Sequence, residues 1–171
     1  MNIIDILDKR ARNTPDKPAV IFRKQTISFS RLSDTSSRLA TALKKLGVNK
    51  GDKVAVYLPG WPEYIFSYLA IWRIGATAVP LDFMLTEDEL VSCLAHAEAK
   101  ILIAKPKANL SLEALRKRCP ALKEIITCQD KVEGYLSLRH RHRRTARRGR
   151  RGARRSRPGG PRRACPSPPR T

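Results

Sequence analysis

The chain has 171 residues, a formal charge of +20 and 42% hydrophobic residues. That length fits one domain of modest size, and no apolar run is long enough for a transmembrane helix. The charge alone does not define a nucleic-acid binder, because it is unevenly placed: 14 of the 35 basic residues lie in residues 136–171, which hold no acid, whereas residues 1–135 carry 21 basic residues against 15 acids.

In chain order, Ile3, Ile4, Leu7 and Ala11 fall on one face of a first helix. The prolines of NTPDKP end it. AVIFRKQTISF reads as two short strands with a turn near Lys24 and Gln25, although the Gly or Asn favoured in a tight hairpin is missing. Leu32, Leu39, Leu43 and Leu46 then repeat at helical spacing, with Lys44 and Lys45 in the last turn and Gly47 as the stop. VAVYL is a strand. Pro62 opens the next helix, where its missing N–H is not needed. From Tyr64 to Ile74 this helix is apolar almost all round, so it is expected to be buried between other elements. TAVPL is a strand. Thr86 and Glu89 form a capping box before a helix whose inner stripe is Leu90, Val91, Leu94 and Ala97. KILIA is a strand, Leu112 to Arg118 a short helix, and KEIIT a strand. Alternation of this kind from residue 53 onward points to a parallel sheet covered by helices. Such sheets bind ligands beyond the carboxyl ends of their strands, which here carry LPGWPE, LDFMLTE and AKPKAN.

Residues 136–171 differ in kind. They contain no Lys, Ile, Val, Phe, Tyr, Trp or Met. A segment so poor in large apolar groups cannot offset its ordering entropy by burial, so disorder is expected from about residue 137. The expected division is a folded part over 1–135 and a basic tail over 136–171. Four cysteines, Cys93, Cys119, Cys128 and Cys165, form no Cys-x-x-Cys pair, and the opening MNIIDILDKRARN has too short an apolar run for a secretory signal. Reduced thiols and a cytoplasmic location are therefore expected.

The phrases of the body, taken in order, resemble the N-terminus of the AMP-forming acyl-CoA synthetases of the adenylate-forming ligase superfamily. RNTPDKPAVIF is similar to that family's opening. ISFSRLSDTSSRLATALKKLGVNKGDKVAVYLPGWPEYIFSYLAIWRIGATAVPLD resembles its first two core motifs, and TEDELVSCLAHAEAKILIA the segment that follows. The resemblance covers about residues 3–127 and leans toward fatty-acid or aryl-acid CoA ligases. It implies an α/β fold, a partial N-terminal subdomain of such a ligase, and a family reaction that uses a carboxylic acid, ATP, Mg²⁺ and CoA.

One departure is decisive for the site. The resemblance implies a Ser/Thr/Gly-rich phosphate loop soon after Thr127, and neither such a run nor a G-x-x-x-x-G-K-S/T motif occurs in the 171 residues. No catalytic, cofactor-binding or metal-binding residue of the family is carried over, and none is assigned. The chain is expected to be a truncated ligase, inactive alone, that binds no cofactor. Missing covering elements imply exposed apolar faces and an open sheet edge.

Arg, Gly, Ala and Pro make up 26 of the 36 residues in the tail. All four can be encoded by codons with G or C in the first two positions, so a frameshift near codons 134–140 of a GC-rich gene accounts for the mixture. The alternative is a small α/β binding module whose tail binds polyanions non-specifically through phosphate contacts. No aromatic residue interleaves the arginines to stack on bases.

Smaller constellations have plain readings. Cys93 and His96 share a helix at a spacing open to two metal ligands, but a core thiol and a surface imidazole explain them. His140, His142 and Cys165 belong to the tail. Asp88 and Glu89 favour a helix start, Trp61, Tyr64 and Trp72 pack, and Lys105 and Lys107 are solvated loop charges.

Overall fold

The computed structural model describes residues 2–128 and 136–138, all within the compact unit Met1–His140. Helix α1 (Ile3–Asn13) starts at a capping box, in which Asn2 and Asp5 each bond the other's backbone N–H. Strands β1 (Pro18–Phe22) and β2 (Gln25–Ser28) form an antiparallel hairpin. Phe22 pairs with Gln25, so the turn residues are Arg23 and Lys24, one position earlier than expected. With no glycine there, Arg23 takes a left-handed φ of 54°, a conformation that costs an L-residue about 1–2 kcal/mol.

Helix α2 (Phe29–Lys45) follows the hairpin directly. Ser28 ends the strand by accepting the backbone N–H of Arg31, so Phe29 is the first helical residue rather than the last extended one. The remaining elements are β3 (Lys53–Tyr57), α3 (Pro62–Arg73), β4 (Thr77–Pro80), α4 (Glu87–Ala97), β5 (Ile101–Ala104), α5 (Leu112–Arg118), β6 (Glu124–Cys128) and β7 (Leu136–Leu138).

Strands β3 to β7 form one parallel sheet in the order β4-β3-β5-β6-β7. Its two faces bury alternate residues of the same strands, as the period of two requires. Val54, Val56, Ile101, Ile103 and Ile126 pack under α2 and α3, while Ala55, Tyr57, Leu102, Ala104 and Ile125 pack under α4 and α5. β5 is buried throughout because both of its faces are covered. A third cluster, Leu7, Ile27, Leu32, Phe66 and Leu69, joins the hairpin and α1 to α2 and α3.

Two expectations are corrected. Residues 136–138 were assigned to the tail, but they form β7: Leu136, Ser137 and Leu138 pair with Ile126, Thr127 and Cys128. Backbone pairing to an existing strand needs no large side chains, which is why composition did not find it. The expected disorder beyond residue 138 lies outside the described residues. Second, α3 is not covered on all sides, since Ile65 and Trp72 stand 37% and 44% exposed. No helix among the described residues is long and apolar enough to cross a membrane.

Candidate functional site

The connections leaving β3 and β5 run to opposite faces of the sheet, β3 into α3 and β5 into α5, although the two strands are neighbours. Their carboxyl ends are therefore a topological switch point, the position where open α/β sheets bind ligands. Tyr57 and Ala104 are the last paired residues, and the Lys105 N–H continues the ladder by donating to the Tyr57 carbonyl at 3.1 Å.

Three loops are tied together at this edge. The buried Tyr57 donates its hydroxyl to the Leu85 carbonyl at 2.9 Å, fastening the β4–α4 loop. The Lys107 ammonium donates to the Phe83 carbonyl and stands 4.2 Å from the Phe83 ring centre and 5.1 Å from that of Tyr57. The Lys105 ammonium stands 4.1 Å over Trp61, in the loop before α3. Lys105 and Lys107 are thus half-buried and held on aromatic faces, not simply solvated. Trp61 packs, as expected, but against a cation.

A ring face orients an ammonium without neutralising it. Both ammonium groups can turn N–H donors toward an anion at this edge of the sheet. Glu63 in the first turn of α3 is 8% exposed, and its Oε2 accepts no hydrogen bond. Burial, and then the Glu63 charge, push the Cys128 thiol at the end of β6 up to about 12.

The other singled-out residues separate. Thr86 and Glu89 make the expected capping box, and the bonds from Thr86 hold the Glu89 carboxyl below its ordinary range. Asp88 stands in the first turn of α4, as expected, and also pairs with Arg118 of α5 at 2.7 Å. Cys93 packs against the α4–α5 core, and His96 is exposed on the same helix. Tyr64 and Trp72 lie along α3, away from the lysines in sequence but joined to each other through Tyr68. His140, His142 and Cys165 lie outside the described residues. Sequence reading missed the pairing of Trp61 with Lys105; the one available signal was that each occupies the loop at the carboxyl end of an expected strand.

The family described as AMP-binding enzyme matches residues 7–161, a span that passes residue 135 and enters the arginine-rich segment. Acetyl-coenzyme A synthetase 1 of Candida albicans is 34% identical over 135 residues, which cover 70% of this chain and 20% of that protein. The medium-chain fatty-acid–CoA ligase of Escherichia coli is 38% identical over 104 residues, covering 60% of this chain and 18% of the ligase. Among solved structures, the anthranilate CoA ligase AuaEII in complex with anthranoyl-AMP is similar with a TM-score of 0.71 at 28% identity, over 80% of this chain and 26% of that one. The chain spans about a fifth of the length of the curated relatives it matches.

Proposed function

Because this chain belongs to the AMP-binding enzyme family, the adenylate-forming acid–CoA ligases, we propose that it is part of an ATP-dependent carboxylate–CoA ligase for fatty or aryl acids. In that reaction the carboxylate attacks the α-phosphate of ATP, an acyl-adenylate forms and pyrophosphate leaves. The CoA thiol then attacks the acyl carbon and releases AMP. The observation that supports a share in this chemistry is the pair Lys105 and Lys107, seated on Trp61 and Phe83 at the carboxyl edge of the sheet. Fixed cations at the carboxyl edge of the sheet suit the phosphates of ATP or CoA, because they need no reorganisation when the anion arrives.

The same residues do not fit Mg²⁺, which takes oxygen ligands. The edge presents two ammonium groups, and no group of three acidic, His or Cys side chains converges among the described residues. The 171 residues also lack a Ser/Thr/Gly-rich phosphate loop. The residues up to Leu138 of β7 are accordingly an incomplete adenylation domain, followed by a basic segment, in a cytoplasmic protein. The 171-residue polypeptide makes no acyl-adenylate by itself. ATP–pyrophosphate exchange, run with the purified polypeptide and a panel of fatty and aryl acids, tests this. Exchange at background level is expected; acid-dependent exchange above it refutes the inactivity.

A further inference from the structure

Tyr57 ends β3 at the carboxyl edge and is, among the described residues, the largest side chain wholly out of water. A buried phenol needs an acceptor for its O–H. The acceptor is the Leu85 carbonyl, 28 residues further along the chain, at 2.9 Å. Two residues before Leu85 stands Phe83. Its ring lies 5.1 Å from the Tyr57 ring at 44°, and its carbonyl receives the Lys107 ammonium, which stands over both rings. The β4–α4 loop leaves the sheet at Leu81, whose N–H donates to the Val56 carbonyl at 3.0 Å. Between there and the Thr86 cap the loop is exposed at Asp82 and Met84, and the Tyr57 hydroxyl ties it back to the sheet. Lys107 depends on this tie. The half-buried cations Lys100 and Arg73 are matched by carboxylates, Asp52 at 2.6 Å and Asp8 at 2.7 Å. Lys107 forms no ion pair among the described residues and rests on one carbonyl and two rings.

We propose that Tyr57 is a positioning residue for the anion-binding edge: its hydroxyl fixes the Leu85 carbonyl, through it the carbonyl and ring of Phe83, and through these the Lys107 ammonium that meets a phosphate. This rests on the reading of Lys105 and Lys107 as the groups that face the phosphates. Lys105 sits apart, on Trp61 of the β3–α3 loop, and has no share in the relay. Phenylalanine at position 57 keeps the packed ring and its face toward Lys107 and removes only the hydroxyl. The two lysines should therefore respond differently to that change.

Residues 136–171 contain no lysine, so a lysine-directed reagent reads the folded part of the intact 171-residue chain without interference from the arginine-rich segment. The chain is acetylated with an N-hydroxysuccinimide ester, and the rate at each lysine is followed by peptide mass spectrometry. In Tyr57→Phe, Lys107 should react about 5-fold faster than in wild type, the factor by which loss of one hydrogen bond shifts a local opening equilibrium, while Lys105 and Lys100 keep their wild-type rates. Trp61→Leu should do the reverse, with Lys105 faster and Lys107 unchanged. A wild-type rate at Lys107 in Tyr57→Phe overturns the relay, and so does equal acceleration of Lys105 and Lys107 in a variant whose Lys100 is unchanged. Acceleration of every lysine, Lys100 included, would mean that Tyr57→Phe has not folded. Phe83→Leu then decides: Lys107 alone must speed up there, or the relay falls. ATP should slow both Lys105 and Lys107 in the wild-type chain. If it slows neither, the anion reading of the edge fails and the proposal with it; if it slows both while Tyr57→Phe leaves Lys107 unmoved, the relay alone fails.

Discussion

Arg73 at the end of α3 grips Asp8 of α1 with a fork of two hydrogen bonds, Nη1 to Oδ2 at 2.8 Å and Nη2 to Oδ1 at 2.7 Å. Ser33 of α2 donates to the same carboxylate at 2.8 Å. One carboxylate therefore joins three helices. The Arg73 bond, acting against desolvation, holds Asp8 below the ordinary aspartate range. A group whose folded pKa is depressed contributes stability above its unfolded pKa and loses it as pH falls through the folded one.

Asp8→Asn should therefore lower stability at pH 7 by about 1–3 kcal/mol, the cost of leaving a partly buried guanidinium without its charged partner. The gap between wild type and variant should close as pH falls below about 4, where the wild-type carboxylate takes up its proton. Urea denaturation at a series of pH values measures this; a gap that stays constant down to pH 2 would show that the charge contributes nothing.

Trp61 and Lys105 should be energetically coupled. A cation over an indole at a half-exposed site is worth about 0.5–1 kcal/mol. A double-mutant cycle with Trp61→Leu and Lys105→Met should return that coupling in stability. Additive losses would mean that the 4.1 Å contact is coincidental and that the lysine is not positioned by the ring.

Glu98 closes α4 in the left-handed region, with φ 49°. Its side chain reaches Lys53 at 3.3 Å, but both partners are largely in water, where such a pair adds little. Glu98→Gly should raise the stability by about 1 kcal/mol through relief of the backbone conformation, read as an increase in the denaturation midpoint at unchanged slope.

Deleting residues 139–171 removes all 14 arginines of the basic segment and leaves β7 intact. Binding of the intact chain to polyanions should be salt-sensitive and indifferent to sequence, falling ~10³–10⁵-fold between 50 and 200 mM salt if roughly 6–10 phosphates are engaged, and it should vanish in the deletion. A clear preference for one nucleic-acid sequence or structure would instead favour an evolved binding role. Reading the gene across codons 125–180 in three frames supplies the matching genetic test: a second frame that runs into a Ser/Thr/Gly-rich loop ending in Pro-Lys identifies the arginine run as out of frame.

Much of the architecture was legible because it is local. The Leu32, Leu39 and Leu43 repeat, the Thr86–Glu89 box and the apolar runs of β3, β5 and β6 each report on neighbours within a few residues, and all stand where their periods placed them. The order of these phrases was also enough for the family, since many short features agree in sequence. Strand order was not legible. That β3 sits between β4 and β5 depends on how crossovers pack, and only this order sets Trp61 beside Lys105, more than forty residues later in the chain. The same holds for β7, whose three residues pair along β6 through the backbone. Composition and period describe what a segment can bury; which lysine rests on which ring is decided by contacts between segments, and those exist only once the sheet has assembled.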